Sequence, residues 1–483
     1  MKISDGVVLA GGETGSGFFH RLLSEAIRRF PEALEDAQLP GAPQAFKRSY
    51  GDALARFESA RVASRQRVEI AQFLRAATLT ELRLRAGEKE ESLLEALGRH
   101  DVPAPKTVTL EPTKAPGLSA ELPLDGRVYR GLEVLEAVKK LHAAHHVTDA
   151  AAKALTWVVE RIEAAGGALD LSAERFVLFG ASAELSPIAL LLQGGATVRW
   201  VDVKAPQLEA GAGRLISTEG GDDLLANPGA GMAAVRAFAS EGPVHVGLFA
   251  YAPGASRELR LAGVMDAMVE ALGPKVVKSV SLYISPTSPG ETQPEDLAVA
   301  AGRGRAPRLW QRGFQTAGLL KGPGHFGNIA RGVISLQGAG YEAAQYLTKI
   351  ISGEVLATSG LGGQPVTLSV NVAGITNTRS LSHPLFQVAF QGAPQFGVRI
   401  FEPATTRAVS GLLMLHDLLN PEAPGAAGKK YPAPRDRARA VRTEQVHGGV
   451  YDLPWQFESA VKTAAVLGLG RRPDLLLRRA RPA

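Results

Sequence analysis

The spacing of short, bulky apolar runs in the later part of the chain limits its fold more than any other feature. From Arg175 onward such runs recur at residues 176–179, 198–201, 215–216, 244–249, 276–284, 366–370 and 398–401, with helical text or turn residues between them. Strands buried on both faces read as continuous apolar stretches, and strands alternating with helices build a parallel sheet covered on both sides. The expected class is therefore α/β, a doubly wound parallel sheet of seven strands.

Upstream the text is different. Residues 52–85 are rich in Ala, Leu, Glu and Arg, and after one apolar run at 7–10 the first hundred residues are expected to be mainly helical. Pro103, Pro105, Pro112, Pro116 and Pro123 crowd residues 101–126 too densely for a helix, so a linker or an extended wrapping segment is expected there. Thr148 reads as the N-cap of a helix over 149–165 that Gly166 and Gly167 end. Beyond 401 the text predicts a helix over 405–418, a Pro- and Gly-rich stretch over 420–435, and a helix from about Trp455. The expected division is a mainly helical region at 1–130, a sheet domain at 131–420 with an insertion at 290–336, and an extension at 421–483.

At 483 residues the chain exceeds what one growing core usually serves, and 45% hydrophobic against 21% charged residues is the balance of a folded globule. A net charge of +6 spread over that length gives no basis for nucleic-acid binding. The arginines at 471, 472, 478, 479 and 481, around Leu475, Leu476 and Leu477, read as a solvated tail. The absence of cysteine excludes disulfides, thiol nucleophiles and thiolate metal sites. No apolar run approaches the roughly 18 residues of a membrane span, and no leader-like segment opens the chain, so a cytoplasmic protein is expected.

The strongest local pattern joins the run at 176–179 to Gly180, Ala181, Ser182, Ala183 and Glu184, then to an apolar helix ending at Gly194 and Gly195, then to a strand ending in Asp202, 22 residues after Gly180. A glycine at a strand end lets backbone approach a pyrophosphate, and an acid ending the next strand can bond ribose hydroxyls. Asp202 favours NAD over NADP, whereas Lys204 close behind would suit a 2′-phosphate. Glu184 and Ser186 stand where further glycines would complete the fingerprint, and Pro187 makes the helix start late.

In this order of pieces, residues 175–401 resemble the short-chain dehydrogenase/reductases, a Rossmann-like family in which a tyrosine, a lysine and a serine transfer a proton beside a nicotinamide. Residues 368–378, Leu-Ser-Val-Asn-Val-Ala-Gly-Ile-Thr-Asn-Thr, look like that family's sixth strand and cofactor-closing loop, with Gly374 and Thr378 on its Pro-Gly-x-x-x-Thr pattern and Ala373 in place of the proline. Ala250 and Tyr251, opening Ala-Tyr-Ala-Pro-Gly, occupy its turn after the fourth strand. The resemblance implies a substrate-orienting serine at Ser285, with Ser288 nearby, and a proton-transferring tyrosine at Tyr341. The lysine expected four residues on is Gln345; Lys349 is similar to the longer spacing of related enoyl reductases, and Tyr346 competes with Tyr341.

The implied cofactor is NAD or NADP, binding at Gly180, Ser182, Glu184, Asp202, Ala250, Tyr251, Gly374 and Thr378. The implied reaction is hydride transfer to or from a carbonyl, hydroxyl or enoyl group. Leu381, Pro384, Leu385 and Phe386 hint at an apolar substrate, and the glycines around Lys321–Phe326 suit a lid, with His325 or His383 as substrate contacts. Two other classes fit the same text: an S-adenosylmethionine-dependent methyltransferase with Asp202 on the ribose, and a non-catalytic scaffold. The N-terminal half offers a surface for homodimerisation or carrier docking. Gly12–Gly17 lacks the lysine of a phosphate loop and reads as a strand-to-helix turn, and His142, His145 and His146 lack a facing acid pair, so no metal is expected.

Overall fold

The computed structural model describes residues 5–254 and 256–477, so Arg478, Arg479 and Arg481 lie outside the described residues. It is a mixed α/β architecture. The N-terminal region holds β1 (Gly6–Leu9), α1 (Gly15–Arg29), α2 (Pro43–Ala63), α3 (Arg67–Thr80), β2 (Leu82–Ala86) and β3 (Lys89–Ser92). Between β1 and α1 the chain turns through Gly11 and Gly12, both at positive φ, and the Thr14 hydroxyl caps α1 by accepting the Gly17 N–H at 3.1 Å. The phosphate-loop-like text is thus a strand-to-helix turn.

Helical text does not run through to Arg85. Leu82–Ala86 alternates Leu and Arg and pairs antiparallel with both β1 and β3, with Gly87 at φ 61° turning the hairpin. Period-two patterning and a left-handed turn residue prevail over helix propensity there.

The main sheet contains β4 (Thr107–Leu110), β5 (Arg175–Phe179), β6 (Thr197–Val201), β7 (Arg214–Thr218), β8 (Val244–Leu248), β9 (Val277–Ile284) and β10 (Thr367–Val372). Their spatial order is β10-β9-β8-β5-β6-β7-β4, parallel throughout except for the antiparallel pair β4 and β7. Winding runs outward from β5 to β7, then returns to β8 on the other side of β5. The winding reverses between β5 and β8, the kind of switch point at whose carboxyl end doubly wound sheets form their ligand crevice.

Alternate residues of each strand face opposite layers. Val177 and Phe179 of β5 join a core with the N-terminal helices and α7 (Arg257–Leu272), whereas Phe176 and Leu178 join one with α4 (Asp149–Ala164) and α12 (Pro403–Leu419). The expected cap of α4 is present, Thr148 Oγ1 accepting the Ala151 N–H at 3.2 Å.

Two elements differ from expectation. The Pro-rich stretch is the extended alternative: its Pro-free residues Thr107–Leu110 form the antiparallel edge strand, the sheet position that tolerates flanking prolines best. Residues 398–401 are not a strand. They are hemmed between left-handed Gly397 and Pro403, which starts α12, and Phe401 forms only an isolated bridge with Thr376.

A buried ionic cluster fastens the N-terminal helices to the rest. Glu354, on α10 (Ser352–Ser359), accepts from Arg61 at 2.8 and 3.0 Å, from Arg67 at 2.8 and 2.9 Å and from Arg442 at 2.9 Å. Glu58 pairs with Arg61 at 2.7 Å and Glu291 with Arg67 at 2.6 Å, so three guanidinium groups meet three carboxylates. Among the described residues no helix is long and apolar enough to cross a membrane.

Candidate functional site

Ser285 follows β9 directly, so the sheet delivers it to the carboxyl-end surface. Its backbone N–H donates to Gln345 Oε1 at 3.2 Å, and its hydroxyl shares a 2.7 Å hydrogen bond with Thr287 Oγ1. Gln345 sits where the resemblance puts lysine; here it holds Ser285 instead.

Tyr341 lies on α9 (Ala339–Gln345), packed against α7, and its hydroxyl is beside Ser285. Burial pushes the Tyr341 phenol up, and the Ser285 hydroxyl pulls it part of the way back. Tyr346 is elsewhere: wholly buried, it donates to Glu58 Oε2 at 2.6 Å inside the ionic cluster. Of the two candidate tyrosines only Tyr341 stands with Ser285.

At roughly 100° per residue an uninterrupted α-helix would set Lys349 about 80° away from Tyr341 around the axis. Residues Tyr346–Ile351 form a π-helical turn, which takes less rotation per residue and brings Lys349 back toward the Tyr341 face. Burial pulls the Lys349 ammonium down, and Glu258 opposes it. Glu258, in the first turn of α7, accepts the Ala252 N–H at 2.7 Å. Burial pushes its carboxyl up to about 7, against the Lys349 charge. From sequence Gln345 reads only as a missing lysine, because its partner Ser285 lies 60 residues away, and neither Glu258 nor Thr287 stands out there.

At the crevice, Gly180 has φ 80°, and a Cβ there would lie 2.2 Å from both Cα and N of Ala250. The glycine is required by the close approach of the β8 exit to the β5 exit. Gly180→Ala is expected to cost about 2–4 kcal/mol, from overlap with rigid backbone plus positive-φ strain, measured by urea denaturation. Asp202 Oδ2 accepts from the Ser182 N–H at 3.0 Å and the Ser182 hydroxyl at 2.8 Å, and Oδ1 takes only a long contact from the Lys204 N–H at 3.3 Å.

Glu184 turns to the loop after β10, accepting the Arg379 N–H at 3.0 Å with the guanidinium at 3.5 Å, so its charge is offset. The next helix, α5 (Ile188–Gln193), is six residues long and starts after Pro187, leaving an extended loop where a glycine-to-helix turn was expected. Gly374 is required by packing, since a Cβ would lie 2.4 Å from the Phe401 ring. Thr378 is on the surface beside Ser380, its hydroxyl 2.9 Å from that of Ser380, and Tyr251 is 48% exposed at the crevice mouth.

Thr287, the hydroxyl partner of Ser285, also lines a shallow, partly open apolar groove with Ile375, Leu381, Phe386, Phe390 and Phe457. Leu381 and Phe386 were expected there; Leu385 is instead 48% exposed, and Pro384 opens the helix α11 (Pro384–Gly392). His325 bonds the Tyr451 carbonyl oxygen at 2.9 Å, and His383 caps α11 by accepting the Leu385 N–H at 3.3 Å, so both are engaged in holding loops.

Two buried histidine and carboxylate groups lie apart from these residues, Asp296 with His447 and Asp452, and His416 with Asp417 and Glu444. His447 Nδ1 accepts the Gly449 N–H at 3.1 Å, which leaves the proton on Nε2, 3.2 Å from Asp296. His416 Nε2 accepts from the Asn420 amide at 2.9 Å, which leaves the proton on Nδ1, facing Asp417 at 3.5 Å and Glu444 at 3.3 Å. Both groups hold buried polar atoms with no hydrogen-bond partner among the described residues: His447 Nε2, Asp296 Oδ2 and both Asp452 carboxylate oxygens in one, His416 Nδ1 and Glu444 Oε2 in the other. His142 pairs with Asp149 at 2.5 Å, and His146 receives the Arg399 Nε–H at 3.2 Å. Comparison of the chain with protein-family models, with curated proteins and with solved structures finds no match.

Proposed function

We propose that this protein is an NAD(P)-dependent oxidoreductase, similar to the short-chain dehydrogenase/reductases, acting on a carbonyl, hydroxyl or enoyl group of an apolar substrate. The observation that carries the reading is Tyr341 beside Ser285 at the carboxyl end of the parallel sheet. The strand order supports it: counted from β5, the six parallel strands run 3-2-1-4-5-6, the order of Rossmann-like dinucleotide-binding sheets.

The crevice residues fit such a cofactor. Asp202 keeps Oδ1 for a ribose hydroxyl, and Glu184 is drawn aside by Arg379. When bound, the nicotinamide would supply or accept the hydride. Ser285 would donate a hydrogen bond to the substrate oxygen, and Tyr341 would give or take the proton at that oxygen. Lys349, as an ammonium, would favour the phenolate, and the groove at Thr287 would hold the apolar part.

A methyltransferase reading would be favoured by a late antiparallel edge strand, and the antiparallel strand here is the early β4, next to β7. The test is a thermal-shift and fluorescence titration with NADH, NADPH and S-adenosylmethionine. Saturable binding of a reduced nicotinamide is expected, weakened roughly tenfold to a hundredfold by Asp202→Ala, the worth of a hydrogen bond to a charged group. Binding of the methyl donor alone would establish the second reading, and no binding of any of the three would leave a scaffold.

A further inference from the structure

A carboxylate taken out of water needs hydrogen bonds or an opposing charge, and two buried ones here lack them. Asp296, in the first turn of α8 (Pro294–Arg305), is 2% exposed, and Asp452, in the loop before the helix Phe457–Arg471, is wholly buried. Asp296 Oδ2 and both Asp452 oxygens receive no hydrogen bond from the described residues. Within ion-pair distance of them, among the described residues, stand His447 Nε2, 3.2 Å from Asp296 Oδ1, and Arg303, 3.4 Å from Asp452 Oδ2 and part-exposed. His447 Nδ1 accepts the Gly449 N–H, so that imidazole is neutral and Arg303 alone faces two carboxylates. Buried polar atoms without a partner call for water or an ion.

The two side chains converge: one oxygen from each, with His447 Nε2, lies within 4.8 Å of the others, the reach of a single ion whose bonds to oxygen run roughly 2.0–2.6 Å. We propose that Asp296 and Asp452 hold a divalent, oxygen-preferring cation of the Mg²⁺ or Mn²⁺ kind, which ties the loop carrying Asp452 to α8. The three unpartnered carboxylate oxygens are the ligands; the imidazole, its Nδ1 already taken, stands beside them. The loop is built to hold this shape. Gly448 and Gly449 turn it at φ 61° and 85°, a Cβ on Gly449 would lie 2.2 Å from the Gly397 carbonyl oxygen, and His325 fixes the Tyr451 carbonyl at 2.9 Å. Tyr451 in turn stacks on His447 with centroids 5.2 Å apart. In the His416 group Asp417 Oδ2 already accepts from the Asn371 amide at 3.0 Å, which leaves Glu444 Oε2 as its unpartnered carboxylate oxygen, so the same argument does not reach it.

The test is Mn²⁺ binding to the full chain. Purified protein is dialysed against chelator and titrated with Mn²⁺ while the EPR signal of the free ion is read, and melting curves are taken with chelator and with Mn²⁺. One Mn²⁺ per chain is expected, displaced by excess Mg²⁺, and the bound ion should raise the melting temperature. Asp296→Asn and Asp452→Asn should each weaken binding by about tenfold or more, since loss of even an outer partner costs a metal site that much, and should lose the rise in melting temperature. Glu444→Gln should bind as the wild type does. Both asparagine variants keep the side-chain shape and remove a buried charge, so in chelator they should melt no lower than the wild type.

Absence of saturable Mn²⁺ binding by the wild type overturns the proposal, and so does binding that both asparagine variants leave intact. An asparagine variant that melts well below the wild type in chelator overturns it too, because the carboxylates would then be serving the fold without an ion. None of these readouts needs a nicotinamide or turnover, so the cation site stands or falls apart from the oxidoreductase reading.

Discussion

Glu354→Ala is expected to lower the unfolding free energy by about 3–5 kcal/mol, the cost of stranding buried charge when one partner of an ion cluster is removed. Glu354 is wholly buried and receives hydrogen bonds from three arginines, so its loss leaves three guanidinium groups facing only Glu58 and Glu291. Burial alone would push its carboxyl up, but Arg61, Arg442 and Arg67 hold it well below the ordinary carboxylate range. A carboxylate depressed in the folded state contributes stability that is complete above the unfolded value, about 4.3, and is lost as pH falls through the lower folded value. At neutral pH the full contribution is present. Urea denaturation at pH 7 and at pH 3.5 should therefore show a smaller difference between wild type and variant at the acid end. Added salt should change the pH 7 difference little, since buried pairs are poorly screened.

Tyr341→Phe is expected to lower kcat roughly 10²- to 10⁴-fold, the range for loss of a positioned general acid or base, with KM nearly unchanged. The ring is retained, and Ser285 keeps its partners Thr287 and Gln345. Folding should therefore be affected by about 1 kcal/mol or less. The check pairs a single-turnover assay of reduced nicotinamide with a melting curve. A variant that melts normally and turns over at the wild-type rate would remove Tyr341 from the chemistry.

Much of the site was legible because strand ends are legible. Apolar runs gave β5, β6, β8, β9 and β10, and residues that follow a parallel strand must reach one edge of the sheet, which is why Ser285, Gly180 and Asp202 were found together in prospect. Roles set by distant partners were hidden. Gln345 looked like a missing lysine and is the acceptor that holds Ser285. Gly180, read as room for a phosphate, is also the point where the two strand exits touch, at Ala250. Tyr346 looked equivalent to Tyr341 until Glu58, almost three hundred residues earlier, accounted for it.

The sequence by itself determined the alternation of strand and helix from Arg175 onward, the Thr148 cap, the late start of the helix after Pro187 and the absence of thiol chemistry, because each depends on residues within a few positions of one another. Tertiary structure alone decided the strand order, the use of Thr107–Leu110 as the sheet edge, the refusal of residues 398–401 to form a strand, the π turn at Tyr346–Ile351 and the pairing of Tyr346 with Glu58. These depend on which segments compete for the same hydrogen bonds and the same buried volume. That competition is settled only when the whole chain packs.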